Sequence, residues 1–380
     1  MKLSNLKKEI RDNERFMIFN LEKKKNIILI LILFITLPVF AQRGNIAIPD
    51  LDGYVTLECD FHMHTVFSDG TVWPTVRVNE AFREGLDAIA LTEHIEYRPF
   101  RADVTGSHNR SYEIAQASNR GIIVIRGSEI TRSMPPGHFN AIFLNDADEL
   151  EKDNYMDVFR SAKNQKAFIF WNHPGWTSQQ PDVTLWWSEH TQLLEQGMMH
   201  GIEVANGGSY YIEAHQWCLD KKLTMLGNSD VHAPMMIFES GRHRTMTLVF
   251  AREKTAESIY EALMDRRTAV YFNEFVIGEE KYLKELFEKS VDISVTKSEN
   301  TARITFTNKS DLVFNLRKDA HDPRLTYFRN IVLTPYIIRP QSTQTITVRM
   351  NDGIESGDVN FIIENFLTTP GHGMKYTVRI

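Results

Sequence analysis

Seven short apolar runs, spaced by helix-like segments, each carry a histidine or a carboxylate near one end, and this pattern constrains the chain more than any other feature. The runs cover residues 55–61, 88–91, 121–126, 139–144, 167–171, 201–205 and 223–226. Their lengths and their β-branched and aromatic content read as strands. Residues 74–84, 111–120, 155–166, 186–196 and 210–221 read as helices, the first with Pro74 at its start. Strands alternating with helices imply a parallel α/β arrangement. Residues 245–250 and 269–272 add two more strand-like pieces. Neither GxGxxG nor GxxxxGK[ST] occurs, so a barrel is favoured over a dinucleotide fold.

The strand ends carry the chemistry. His62 and His64 stand two residues apart at the end of the first run, so they share a face, and the turn Ser68-Asp69-Gly70 follows. Neutral imidazole is the commonest metal ligand. The second run leads into Thr92-Glu93-His94, the third into Gly127-Ser128-Glu129 and the fifth into Asn172-His173-Pro174. The sixth carries Glu203 with Asn206 behind it, and the seventh leads into Asn228-Ser229-Asp230-Val231-His232. His138 is the exception, because it precedes its strand. Barrels of parallel strands place their chemistry on the C-terminal rim. His62, His64, Asp69, His94, Glu129, His138, His173, Asp230 and His232 are therefore candidate ligands. A single zinc takes three or four donors, so nine suit two or three divalent metals sharing a bridging carboxylate and hydroxide. Closely spaced metals serve phosphate-ester hydrolysis, among other reactions. Mixed imidazole and carboxylate donors suit Zn, Mn or Fe. No nucleophile beyond a metal-bridging hydroxide is then needed.

Taken in order, HMHT, SDG, TEH, GSE, GH, NHP and SDVH resemble the PHP superfamily, named for its polymerase and histidinol-phosphatase members. The resemblance covers roughly residues 54–275. It implies a distorted (β/α)7 TIM-like barrel with a trinuclear metal centre. His62, His64, Glu129 and Asp230 would hold the first metal. Glu129, His138 and His173 would hold the second, and Asp69, His94 and His232 the third. The family usually has TDH where this chain has Thr92-Glu93-His94, which leaves Glu93 as either a ligand or a supporting residue. The longer stretches HMHTVFSDGTVWPTVRV, TEHIEYRP, HNRSYEIA, EITRSMPPGHFNAIFL and NSDVHAP are similar to the exported bacterial Sb-PDE-type phosphodiesterases. That likeness implies hydrolysis of small organic phosphate diesters. A phosphomonoesterase of histidinol-phosphatase type is the alternative, and a non-catalytic metal- or partner-binding protein the third reading.

Other side chains have two readings each. Arg132 could clamp a phosphate or pair with a surface carboxylate. Trp171, Trp176, Trp186 and Trp187 could wall an ester group or fill the core. Glu203 and Asn206 could line the rim or orient a ligand. His108 and Arg110 read as capping or packing residues. His190, His200, His215, His243, His321 and His372 read as non-ligands. Cys59 and Cys218 read as two buried apolar thiols rather than a disulfide.

Beyond a helical stretch at 279–289 the chain changes to short alternating segments split by polar turns, which predicts a small β-sandwich-like domain over 285–380 behind a barrel domain over 42–284. At the other end, Lys23-Lys24-Lys25 precede an apolar run over 27–35 and then Leu37-Pro38-Val39-Phe40-Ala41. This reads as a signal peptide, residues 1–41, cleaved after Ala41 to give an exported, periplasmic bacterial protein, without a membrane anchor if cleaved; an uncleaved N-terminal anchor is the alternative. Removal takes away 8 Lys+Arg and 4 Asp+Glu and moves the formal charge from −6 to −10. Such an acidic chain is a poor general nucleic-acid binder and points instead to a small-molecule phosphate ester as partner.

Overall fold

A computed structural model describes Met17, residues 23–25, 43–235, 243–319, 324–327, 334–351 and 354–380. The segment read as a signal peptide lies almost wholly outside the described residues. Among those described, no helix is long and apolar enough to cross a membrane.

The first strand, β1 (Val55–Asp60), is followed by α1 (Pro74–Glu84), β2 (Ala88–Leu91), α2 (His108–Ala117), β3 (Ile123–Thr131) and β4 (His138–Ile142). Next come α3 (Tyr155–Asn164), β5 (Phe168–Trp171), α4 (Ser188–Glu195), β6 (Gly201–Asn206) and the short β7 (Ser209–Tyr210). Then follow α5 (Ile212–Lys221), β8 (Thr224–Asn228), β9 (Met246–Ala251), α6 (Ala256–Met264), β10 (Thr268–Phe272) and β11 (Phe275–Gly278). Strands β2, β5 and β9 are buried along their whole length, which is why they read as unbroken apolar runs.

The sheet is mixed rather than parallel throughout. Pairs β1–β2, β2–β3, β5–β6 and β6–β8 are parallel. Pairs β3–β4 and β4–β5 are antiparallel, as are β1–β9 and β9–β10. The cause is the short link between β3 and β4: six residues can turn a hairpin but cannot hold a crossover helix. The sheet also curls back on itself. β8 is laddered to β6, and its far side meets β9 and β10 through side chains. Thr247 Oγ1 bonds both the N–H and the C=O of Gly227, at 3.0 and 2.8 Å, and Thr268 Oγ1 donates to Met225 O at 2.8 Å. A Cβ on Gly227 would sit 2.5 Å from Val270 Cγ1, so the strands approach this closely only with glycine there.

After β11, α7 (Glu280–Ser290) buries Tyr282, Leu283, Leu286 and Phe287 on one face. Eight strands follow: β12 (Val291–Ser298), β13 (Thr301–Asn308), β14 (Phe314–Lys318), β15 (Leu325–Tyr327), β16 (Tyr336–Ile338), β17 (Thr343–Met350), β18 (Asp358–Thr369) and β19 (His372–Arg379). They form two layers. One is a separate sheet in the order β12-β13-β17-β15, and the other joins the main sheet where β18 runs parallel to β11. One apolar core spans the junction, from Leu248 and Phe250 through Leu283 and Phe287 to Phe306 and Phe361. The change in sequence character near residue 285 therefore falls inside α7, a helix packed into that shared core.

Candidate metal centre

The nine candidate ligands come together at one end of the curled sheet. His62 and His64 follow β1 on either side of Met63, which bridges to Val231. The following turn folds Asp69 back toward them, and a Cβ on Gly70 would lie 2.5 Å from the His64 carbonyl carbon, so this tight return requires glycine. Backbone bonds Asp230 N to His62 O (2.9 Å) and His64 N to Val231 O (3.0 Å) zip the two ligand-bearing segments together. His173 and Asp230 hold positive φ of 29° and 53°, a strained conformation that persists where surrounding contacts impose it. His138 reaches the same rim because β4 is antiparallel to its neighbours: its start lies beside their ends, with Thr131 opposite His138 in the ladder. The exception in the sequence pattern is thus a consequence of strand direction.

Glu129 is fully buried and central. Its Oε2 lies 3.5 Å from His62 Nε2, 3.3 Å from His64 Nε2 and 2.9 Å from His94 Nδ1. Its Oε1 lies 3.0 Å from His138 Nδ1 and 3.6 Å from His173 Nε2. Asp230 Oδ1 lies 3.1 Å from His62 Nε2 and 3.2 Å from His64 Nε2. Asp69 Oδ1 faces His232 Nε2 at 3.2 Å and His94 Nε2 at 3.5 Å. Four overlapping groups could each hold an ion: His64, Asp69, His94 and His232; His62, His64 and Asp230; His62, Glu129 and His173; His94, Glu129 and His138. The first- and third-metal sets implied by the resemblance fall within these groups, apart from Glu129 in the first. Glu129, His138 and His173 do not form one group among the described residues; Glu129 is shared between His62 and His173 on one side and His94 and His138 on the other.

The donor set fits metal ions. His62 Nε2, His64 Nε2, Asp69 Oδ1, Glu129 Oε2 and Asp230 Oδ1 are buried and make no hydrogen bond, yet all point into the same space. Buried polar atoms are ordinarily satisfied, so five orphans in one place call for a cation. Charge tells the same story. Burial would raise the Glu129 carboxyl, but His94, His62 and His138 hold it well below the usual range. Burial would lower His94, but Glu129 and Asp69 push it up to about 10. His64 is driven down to about 3 by burial and by the neighbouring His94 charge.

Other residues orient this set. Glu203 Oε1 accepts from His62 Nδ1 at 2.8 Å, which turns His62 Nε2 toward the cluster, and Glu203 Oε2 accepts from the His173 backbone N–H at 2.8 Å. Asn172 Nδ2 donates to Glu129 Oε1 at 3.0 Å. Buried Arg77 donates to the carbonyls of His64, Val231, His232 and Ala233, clamping the two ligand segments. A cavity of about 780 Å³ opens over the centre, lined by Asp69, His94, His138, His173, Asp230 and His232 together with Glu96, Tyr97, Trp176 and Tyr211.

No curated protein matches the chain. A model of the PHP domain matches residues 60–207, and a model of an Ig-like domain matches residues 289–379. A crystal structure from Bacteroides vulgatus ATCC 8482, described as a two-domain protein containing a predicted PHP-like metal-dependent phosphoesterase, is 56% identical. The match covers 90% of this chain and 100% of that one, with a TM-score of 0.86. This chain belongs to the PHP family. A protein from Bifidobacterium adolescentis ATCC 15703 aligns at 16% identity over 55% of this chain and 96% of that one, TM-score 0.38. An amidohydrolase from Chromobacterium violaceum, with bound sulfate and no metal, aligns at 18% identity over 46% and 88%, TM-score 0.33.

Glu93 accepts from Thr65 N, Thr65 Oγ1, Ser68 Oγ and Ser111 Oγ, so it shapes the His64–Gly70 turn and lies outside every candidate ligand group. Arg132 does not line the cavity but pairs with Glu96, which does. Its Nε lies 2.6 Å from Glu96 Oε1, and its Nη atoms donate to the carbonyls of Asp153 and Lys152, so this guanidinium is committed to the protein. Trp171 is core, stacked on Trp217 and touching Trp186; of the four tryptophans singled out in the sequence, Trp176 lines the cavity. Cys59 and Cys218 are free and buried. Sequence reasoning missed Asp60, Arg77 and Asn172. The Asp60 carboxylate accepts from Ser229 and from Arg244, which lies 184 residues away, a pairing that no local pattern announces.

Proposed function

We propose that this chain is an exported metal-dependent phosphoesterase that hydrolyses small organic phosphate diesters at a trinuclear centre on a distorted seven-stranded barrel. The observation that carries the reading is the convergence of five unsatisfied buried donor atoms, from His62, His64, Asp69, Glu129 and Asp230, beneath an open cavity. His62, His64, Glu129 and Asp230 would hold the first metal; Glu129, His138 and His173 the second; Asp69, His94 and His232 the third. Bound divalent ions, whether Zn, Mn or Fe, would polarise phosphoryl oxygens and lower the pKa of water. The protein supplies the orientation: Glu203 fixes His62, Asn172 fixes Glu129, and Arg77 locks the two loops that carry five of the ligands. The B. vulgatus protein's description and the likeness to Sb-PDE-type phosphodiesterases support phosphoester chemistry.

The cavity favours a diester. Tyr97, Trp176 and Tyr211 in its lining offer apolar surface for two ester groups, which supports that reading. The test is hydrolysis of bis-p-nitrophenyl phosphate beside p-nitrophenyl phosphate by metal-reconstituted protein, with His62→Ala as control. The expected result is a higher kcat/KM for the diester and a loss of about 100-fold or more in the variant. Monoester preference would instead establish a histidinol-phosphatase-type activity, and equal rates in the variant would remove the metal centre from the chemistry.

A further inference from the structure

Two exposed aromatic side chains flank the ligand imidazoles. The Trp176 ring lies 5.6 Å from that of His138 and 5.3 Å from that of His173. The Tyr97 ring lies 6.1 Å from that of His94, and the His94 and His138 rings are 5.9 Å apart. Tyr97 and Trp176 are 55% and 43% exposed, so neither contributes its full area to a core. The backbone that carries each ring is tied to the centre. Trp176 N donates to His173 O, and Trp176 O accepts from Gln179 N and Gln180 N, so the ring rides on the turn that presents His173. Gly175 packs against Tyr211, where a Cβ would come within 2.7 Å of the ring, which backs that turn from behind. On the other side, Ile95 N donates to Glu129 O and Glu96 Oε2 accepts from Thr131 N, which ties the segment carrying Tyr97 to the strand carrying Glu129. An aromatic side chain on each flank of a centre, carried on backbone tied to the ligand segments, suits two groups projecting in different directions from one reacting atom.

We propose that Trp176 and Tyr97 form two aromatic subsites that bracket phosphorus and select a singly charged phosphodiester whose ester groups are uncharged rings, aryl or sugar. This rests on the phosphodiesterase reading of the same site. Ring faces stack on aromatic walls, whereas a charged ester group would lose hydration against the Tyr97 and Trp176 rings, with no described Lys or Arg in the lining to pair it.

The test uses the full metal-loaded chain and three diesters sharing a 4-nitrophenyl leaving group, with methyl, phenyl or 4-carboxyphenyl as the second ester group. The expected kcat/KM is about tenfold higher for phenyl than for methyl, expressed mainly in KM, and falls again for carboxyphenyl. Trp176→Ala or Tyr97→Ala should bring the phenyl-to-methyl ratio toward one, and Trp176→Phe should keep most of it. Phe100→Ala, an exposed aromatic outside the cavity lining, should leave the ratio as in the parent. Hydrolysis of all three without preference, or a ratio untouched in both alanine variants, overturns the subsites alone. Failure to hydrolyse any of the three overturns the phosphodiesterase reading and the subsites with it.

Discussion

Glu203 shows how the residues behind a metal centre set its quality. One carboxylate fixes the His62 ring and the His173 backbone together, and it also takes a bond from Asn228. Glu203→Ala should weaken metal binding by about 10–100-fold, read by competition with a chromophoric chelator; unchanged affinity would mean that packing alone orients His62. Proton linkage follows from the same charges. Burial works against a proton on His94, but Glu129 and Asp69 push its pKa up to about 10, so the metal-free ring is protonated at neutral pH. A metal must displace that proton. Affinity should therefore fall as the medium is acidified, and calorimetry in buffers of different ionisation enthalpy should show net proton release at neutral pH. Proton uptake, or affinity indifferent to pH, would contradict this. All nine candidate ligands were legible in the sequence because imidazoles and carboxylates gather at strand ends. Arg77 and Asp60 were not, because their partners arrive from segments more than 150 residues away.

At the scale of elements, strand direction escaped the sequence. Apolar runs of similar length look alike whether a strand runs up or down, so periodicity alone makes β4 one more parallel strand. The clue was His138, at a strand start where its counterparts follow strand ends; an antiparallel β4 accounts for both. The closure of the sheet was equally hidden. Thr247, with bonds to both backbone groups of Gly227, performs a task usually left to a backbone ladder. Thr247→Val keeps the shape and removes both bonds. It should cost about 1–3 kcal/mol in urea unfolding with little change in m. A loss below about 0.5 kcal/mol would show that the β8–β9 contact is held by packing alone.

Across the whole molecule, the change in sequence character near residue 285 was legible, but the continuity of the core was not. The alternating pattern of β12 to β19 predicted two layers, and two layers form. What periodicity could not show is that β18 extends the main sheet through β11 and that α7 lies in one shared core. Calorimetry of the full chain should accordingly give one cooperative transition, whereas two well-separated transitions would show that the two parts unfold independently. The nine side chains beneath the cavity are expected to hold metal. Elemental analysis of reconstituted, desalted protein tests this most directly, comparing wild type with Glu129→Ala, both checked for native near-ultraviolet circular dichroism. About three divalent ions per wild-type chain are expected, with a clear loss on removing the carboxylate shared among the groups. A wild-type chain that retains no metal, or a variant that retains the full complement, would contradict that.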